Sequence, residues 1–409
     1  MMNNRSVIVG RIIVIRVVSL ALMNNAWRCI MQMGTMAMLI MFLATAFAVE
    51  RLFKLLKESA IVSLLLVLSL GCNRQGEGQY HFPVFSREYE GHFEFIGDPL
   101  MLDGANHIYL YEDYICLVEP NIQNGSSFHV FDKHDGHPLS DAIYKGRGPG
   151  EIMHVASSGI VDGILYVFDD TSRSVMMYDG ERVINEDTEQ YLGTDTSDLG
   201  PFPVYVLFLK DGDWVVIRNA SPLVKPESNH VRIERLGLTP GQYSEYPLED
   251  RELTWRLCRN PQVTLSPDGS RFALSSLHGC ILEVYSVENG LELLSTNYLL
   301  DPDLWMEDGE IVYGQRSMNG ISSLVSTDDY IIASMSDGKT PDDIVVEKGL
   351  LRSPYICFMD WNGKGIFRVH TDYDIVRLTY DLSEKVVYAV IKDKEGVLHL
   401  GRMDMSRFK

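Results

Sequence analysis

Asp162-Gly163-Ile164-Leu165-Tyr166-Val167-Phe168-Asp169-Asp170 is a turn signal followed by a short β-type run that ends in acidic residues. Asp-Gly supplies the backbone freedom for a tight reversal. A brief run of β-branched and aromatic residues bounded by polar ones reads as a strand packed inside and solvated at its ends. The arrangement returns at intervals of 49 to 60 residues. Its turns begin at Asp103, Asp162, Asp211, Asp268, Asp328 and, less cleanly, Asp381, and the apolar segments after them centre on Tyr109, Tyr166, Val215, Phe272, Ile331 and Tyr388. A fixed period of that length, with strand signals and no helical ones, specifies a propeller or other closed β array.

Each unit has one apolar segment before its turn and two after it. The third segments are Phe128 to Asp132, Val175 to Asp179, Val231 to Glu234, Leu282 to Tyr285, Tyr355 to Asp360 and Leu398 to Met405. Six such meanders predict an all-β, six-bladed β-propeller. The last unit shows only three strands before Lys409, while Gln79 to Phe95 holds unassigned β-type sequence such as Tyr80-His81-Phe82-Pro83-Val84-Phe85. An unpaired edge invites aggregation, so the N-terminal segment is expected to supply the outermost strand of the last blade and close the ring. A chain of 409 residues exceeds the usual single-core limit. Blades that pack mainly on their neighbours evade that limit, so one propeller domain over residues 80–409 is the expectation.

The first 71 residues read differently. Ala60 to Leu70 carries no charge, is preceded by Arg51, Lys54 and Lys57, and runs into Gly71-Cys72. A basic region, a short apolar stretch and a small residue before the cut describe a secretory signal, and the stretch is too short to span a bilayer as a helix. Leu68-Ser69-Leu70-Gly71-Cys72 resembles the lipobox of bacterial lipoproteins, with Ser69 where Leu normally stands. That resemblance implies lipidation at Cys72. Residues 1–71 are therefore expected to be an N-terminal extension and signal, and 72–79 a polar tether. Val7 to Met23 and Thr35 to Val49 fit no signal, and a start near Met41 or Val49 would leave one of ordinary length.

Charge narrows the partners. Before Cys72 the chain holds seven Lys/Arg against two Asp/Glu, so residues 72–409 carry −25 of a total of −20. That acidity repels phosphate backbones and argues against a nucleic-acid partner. It suits a secreted, soluble body and is compatible with a divalent cation such as calcium.

Leu265-Ser266-Pro267-Asp268-Gly269-Ser270-Arg271-Phe272-Ala273 resembles the inner-strand motif of TolB-type propellers, and Gly146-Arg147-Gly148-Pro149-Gly150-Glu151 resembles a signature of TolB-like six-bladed propeller lipoproteins of Gram-negative bacteria. The resemblance implies an envelope lipoprotein with a binding or scaffolding role. It implies no chemistry.

Propeller geometry gathers the loops entering the inner strands around one mouth of the channel, where function concentrates. The residues before the inner strands give Asp98, His154, Asn260, Asn319, Asp372 and Asp374 as mouth candidates. Arg147 and Glu151 join them as a possible anion clamp, or as a structural turn whose charges pair locally. Ligand binding is thus assigned to Arg147, Glu151, His154, Asn260 and Asn319, and a weak metal site to Asp372 and Asp374. No calcium-loop spacing, zinc helix motif or nucleophile elbow occurs, and no catalytic residue is assigned. Cys258 and Cys280 are a candidate disulfide, and Cys116 and Cys357 read as buried small hydrophobes.

The leading expectation is a non-catalytic, lipid-anchored propeller that binds an envelope protein, peptide or glycan on its loop face, on the periplasmic side of the outer membrane. The alternatives are a metal-assisted lactonase, lyase or glycan-active enzyme at the channel mouth, and a structural part of an envelope machine.

Overall fold

The computed structural model describes residues 83–102, 104–119, 125–185, 189–200, 202–218, 233–236, 261–276, 281–299, 304–307, 310–313, 320–336 and 353–408. All belong to the unit spanning 79–409. Six small sheets form a six-bladed β-propeller. Blade 1 is a four-stranded antiparallel meander of His107–Tyr111, Tyr114–Val118, Ser126–Asp132 and Pro138–Tyr144. The inner strands of blades 2 to 6 are Val155–Val161, Pro203–Phe208, Gln262–Leu265, Ile321–Ser326 and Asp374–Asp381.

The N-terminal segment seals the ring in two steps. Arg87–Glu90 adds in parallel to the outer strand Gly365–His370 of blade 5, anchored by Glu88 on Arg368 and Glu90 on His370. Glu94–Leu100 then pairs antiparallel with Leu398–Asp404 and is the outermost strand of blade 6. The expected closure is present, carried by residues slightly later than Gln79 to Phe95. Two edges that would otherwise template association are covered by one segment. Asp98 lies on this outer strand, exposed, and not at the channel mouth where the sequence reading placed it.

Five of the six turn signals fall between an inner strand and the second strand of a blade, and all six third segments are third strands. The first signal is one strand early. Asp103-Gly104 precedes the inner strand of blade 1, whose true turn is Glu112-Asp113 with Glu112 left-handed at φ 52°. Two features carried no recognised signal: the one-turn helix Gly180–Ile184, capped by the Asp179 side chain on the Arg182 N–H, and the hairpin Leu304–Glu307 with Glu310–Tyr313.

Apolar burial follows the blade seams. One cluster joins each neighbouring pair: Phe128 with Val167, Phe168 with Val206, Ile217 with Phe272, Val284 with Ile331, Phe358 with Val387, and Ile115 with Leu400 where the ring closes. Hydrophobic stabilisation is thus distributed around the ring, and no seam is dispensable. Cys116 and Cys357 are buried inside this apolar packing, as expected. Burial pushes the Cys116 thiol up to about 12.

Hydroxyls tie the inner strands together. Ser157 Oγ donates to the Val206 carbonyl (3.0 Å) and accepts from the Val206 N–H (2.9 Å), linking blades 2 and 3. Thr264 meets Ser326 between blades 4 and 5, and Ser323 accepts the Leu378 N–H between blades 5 and 6. Register shifts at Val155/Ser157, Pro203/Tyr205, Ile321/Ser323 and Ile375/Arg377 put a bulge near the start of four inner strands. Bulges re-aim side chains, and here they do so at the mouth of the channel.

Candidate functional site at the mouth of the channel

The loops entering the inner strands meet the loops between second and third strands on one face. In blade 2 the Met153 N–H donates to Asp169 Oδ2 (2.9 Å), and His154 Nδ1 lies 2.9 Å from Asp170 Oδ1. Between blades 5 and 6 the Ser353 N–H donates to Asp374 Oδ1 (2.7 Å). The gathering of loops expected from sequence is therefore present.

Gly148-Pro149-Gly150-Glu151 is a type II turn: the Glu151 N–H donates to the Gly148 carbonyl (3.1 Å), Pro149 sets the first central position, and Gly150 has φ +75° at the second. Glu151 Oε2 accepts the Gly148 N–H (2.7 Å) and lies so close to Gly146 that a β-carbon there would overlap it. The Glu151 carboxylate is thus held by its own turn. Arg147 projects from that turn, exposed, with no polar partner among the described residues.

His154 is held above its ordinary range, chiefly by the hydrogen bond to Asp170, whose own carboxyl is lowered by the same bond. Asp372 is exposed, and Asp374 is engaged by the Ser353 main chain. Among the described residues no three His, Cys, Asp or Glu side chains come together as a metal site. Asn260, Asn319, Cys72, Cys258 and Cys280 lie outside the described residues.

Behind this face lies a feature the sequence did not disclose. A cavity of about 360 Å³ occupies the channel and is lined by all six inner strands. That volume falls within the usual range of small-molecule pockets, roughly 300–1,000 Å³. Among the described residues, Arg377 of blade 6 is the one charged residue in its lining, and no Asp or Glu contributes. Its Nε donates to the Asn106 carbonyl of blade 1 (2.6 Å), and its Nη1 to the carbonyls of Ser322 (2.9 Å) and Val376 (2.7 Å). Nη2 has no partner among the described residues. Burial alone lowers the guanidinium to about 10.

Three side chains from other blades surround it. The His107 ring stacks against Tyr109 (centroids 5.8 Å) and meets Tyr205 edge-on (6.2 Å). Its Nε2 is buried without a hydrogen bond, and burial followed by the Arg377 charge pulls the imidazole down to about 3, so it is neutral at physiological pH. Tyr109 donates to the Ser158 carbonyl. Tyr205 is 93% buried, being 7% exposed, yet its hydroxyl has no protein partner among the described residues. Desolvating a guanidinium without a carboxylate costs several kcal/mol, which three carbonyl dipoles offset in part. The arrangement is a fixed cation with neutral polar neighbours, built to receive negative charge. Its only sequence trace is an Arg inside the strand text Asp374-Ile375-Val376-Arg377-Leu378.

No family model matches the chain. A stretch of 138 residues is 27% identical to a glutamine–fructose-6-phosphate aminotransferase of Bradyrhizobium diazoefficiens, covering 32% of this chain and 23% of that one, so the chain spans about a quarter of the relative's length. Among solved structures, a putative exported protein of Bacteroides fragilis superposes with a TM-score of 0.48 at 11% identity, over 77% of this chain and 98% of that one. BamB of Moraxella catarrhalis gives 0.34 at 13% identity, over 74% and 70%. A gluconolactonase of Xanthomonas campestris gives 0.42 at 13% identity, over 76% and 90%.

Proposed function

We propose that this chain is a TolB-like, lipid-anchored β-propeller of the bacterial envelope that binds a protein, peptide or glycan partner on its mouth face and catalyses no reaction. Cys72 is the anchor, residues 73–79 the tether, and the periplasmic side of the outer membrane its place. The observation that carries the reading is the make-up of the channel lining, in which, among the described residues, one cation stands among neutral groups with no carboxylate to act as acid, base or metal ligand. Loops on a rigid ring then serve recognition, and the exposed Arg147 and half-exposed His154 are described mouth residues open to a partner.

The test places a photo-crosslinking residue at Arg147 and, separately, at Leu382, which is exposed in the hairpin turn at the opposite end of an inner strand. Position 147 is expected to capture an envelope component and position 382 to capture none. Equal capture at both ends overturns the mouth-face reading, and a stoichiometric divalent metal with turnover of a lactone or glycan overturns the non-catalytic one. Cys72→Ser is expected to release the chain from the membrane fraction.

A further inference from the structure

The channel cavity deepens the binding role just proposed by naming a ligand class. We propose that it binds a small organic monocarboxylate, with Arg377 Nη2 and Tyr205 Oη donating to the carboxylate.

Each part of this assignment follows from a group left incomplete. Arg377 spends Nε and Nη1 on main-chain carbonyls of blades 1, 5 and 6, which fixes the plane of the guanidinium and leaves Nη2 over. A rigid, oriented guanidinium edge suits a planar carboxylate. The cavity holds a single positive charge, which matches a monoanion and undercompensates a phosphate dianion. Tyr205, nearly buried and unpartnered at its hydroxyl, supplies the second donor.

His107 adds no second charge, because burial keeps its imidazole neutral at physiological pH. The remaining walls mix apolar residues such as Ile108 with polar ones such as Gln262 and Thr264, and suit a small substituent.

The experiment is calorimetric titration of the purified full chain in detergent with mandelate, phenylacetate and inorganic phosphate. Mandelate and phenylacetate are each expected to bind at one site per chain, with no saturable phosphate heat. Tyr205→Phe, which removes one oxygen and leaves the packing, is expected to weaken mandelate about tenfold, and Arg377→Met to abolish it. Absence of saturable mandelate binding, affinity unchanged in Tyr205→Phe, or phosphate binding as tightly as mandelate overturns the assignment. Should the acids fail to bind while crosslinking from position 147 persists, the channel assignment falls and the mouth-face reading stands.

Discussion

Two cations at the seam between blades 6 and 1 have opposite surroundings. Lys133, 5% exposed on its side chain, extends from blade 1 to Glu384 (2.9 Å) and Asp381 (3.1 Å) of blade 6, with Asp113 at 3.7 Å. Burial pulls its ammonium down, but the hydrogen bonds it donates to Glu384 and Asp381 hold it above its ordinary range. Arg377 crosses the same blade 6 to blade 1 seam nearer the mouth and finds carbonyls only. One cation is neutralised by the protein and closes the ring. The other is left electrically incomplete, as a site for an external anion would be.

That contrast is open to direct attack. Lys133→Met strands two carboxylates at the closing seam, one of them 11% exposed, and is expected to destabilise the fold by about 3 kcal/mol in urea denaturation. Arg377→Met is expected to cost less than Lys133→Met under the same conditions, because relief of desolvation offsets the lost carbonyl contacts. The reverse order would mean that Arg377 is the principal closure and would remove the basis of the contrast.

The two regions also differ in how far they could be read from sequence. Turn chemistry is local, so Asp162-Gly163, Asp211-Gly212 and Asp268-Gly269 announce hairpins without reference to anything distant. The first blade misled for the same reason: Asp103-Gly104 looks like the hairpin, whereas the real turn uses Glu112 in a left-handed conformation that composition does not advertise. Arg147, Glu151 and His154 were legible because one short loop holds them. Arg377, His107 and Tyr205 come from blades 6, 1 and 3 and meet only after the ring has closed, so no spacing could have joined them. The Gly-Pro-Gly-Glu signature stood out, and much of what it specifies is a type II turn with its own carboxylate cap.

The neutral His107 gives the channel a pH signature. Its native value near 3 lies below the ordinary 6.5, so the unfolded chain takes up a proton between those values that the native protein refuses. Stability therefore falls with acidification from pH 6.5 toward 3, at no more than about 1.4 kcal/mol per unit, or about 2 kcal/mol between pH 7 and 5. His107→Gln is expected to remove that part of the acid limb in denaturation curves collected across the range. An unchanged acid limb would show that the ring ionises within the folded channel.

The smallest effect belongs to the mouth. His154 and Asp170 are each about 40% exposed, and exposed pairs contribute at most about 1 kcal/mol. The raised His154 value makes its share of the stability fully present below 6.5 and lost as pH rises through the folded value. The lowered Asp170 value makes its share present above 3.8 and lost as pH falls through the folded one. The pair thus stabilises most between about pH 4 and 6.5, where the channel histidine destabilises. Asp170→Asn should bring the His154 titration down toward 6.5 in proton NMR while leaving the His107 resonances unmoved. Coupled movement of both would mean that loop and channel titrate together, and a partner on the mouth face would then alter the ligand site behind it.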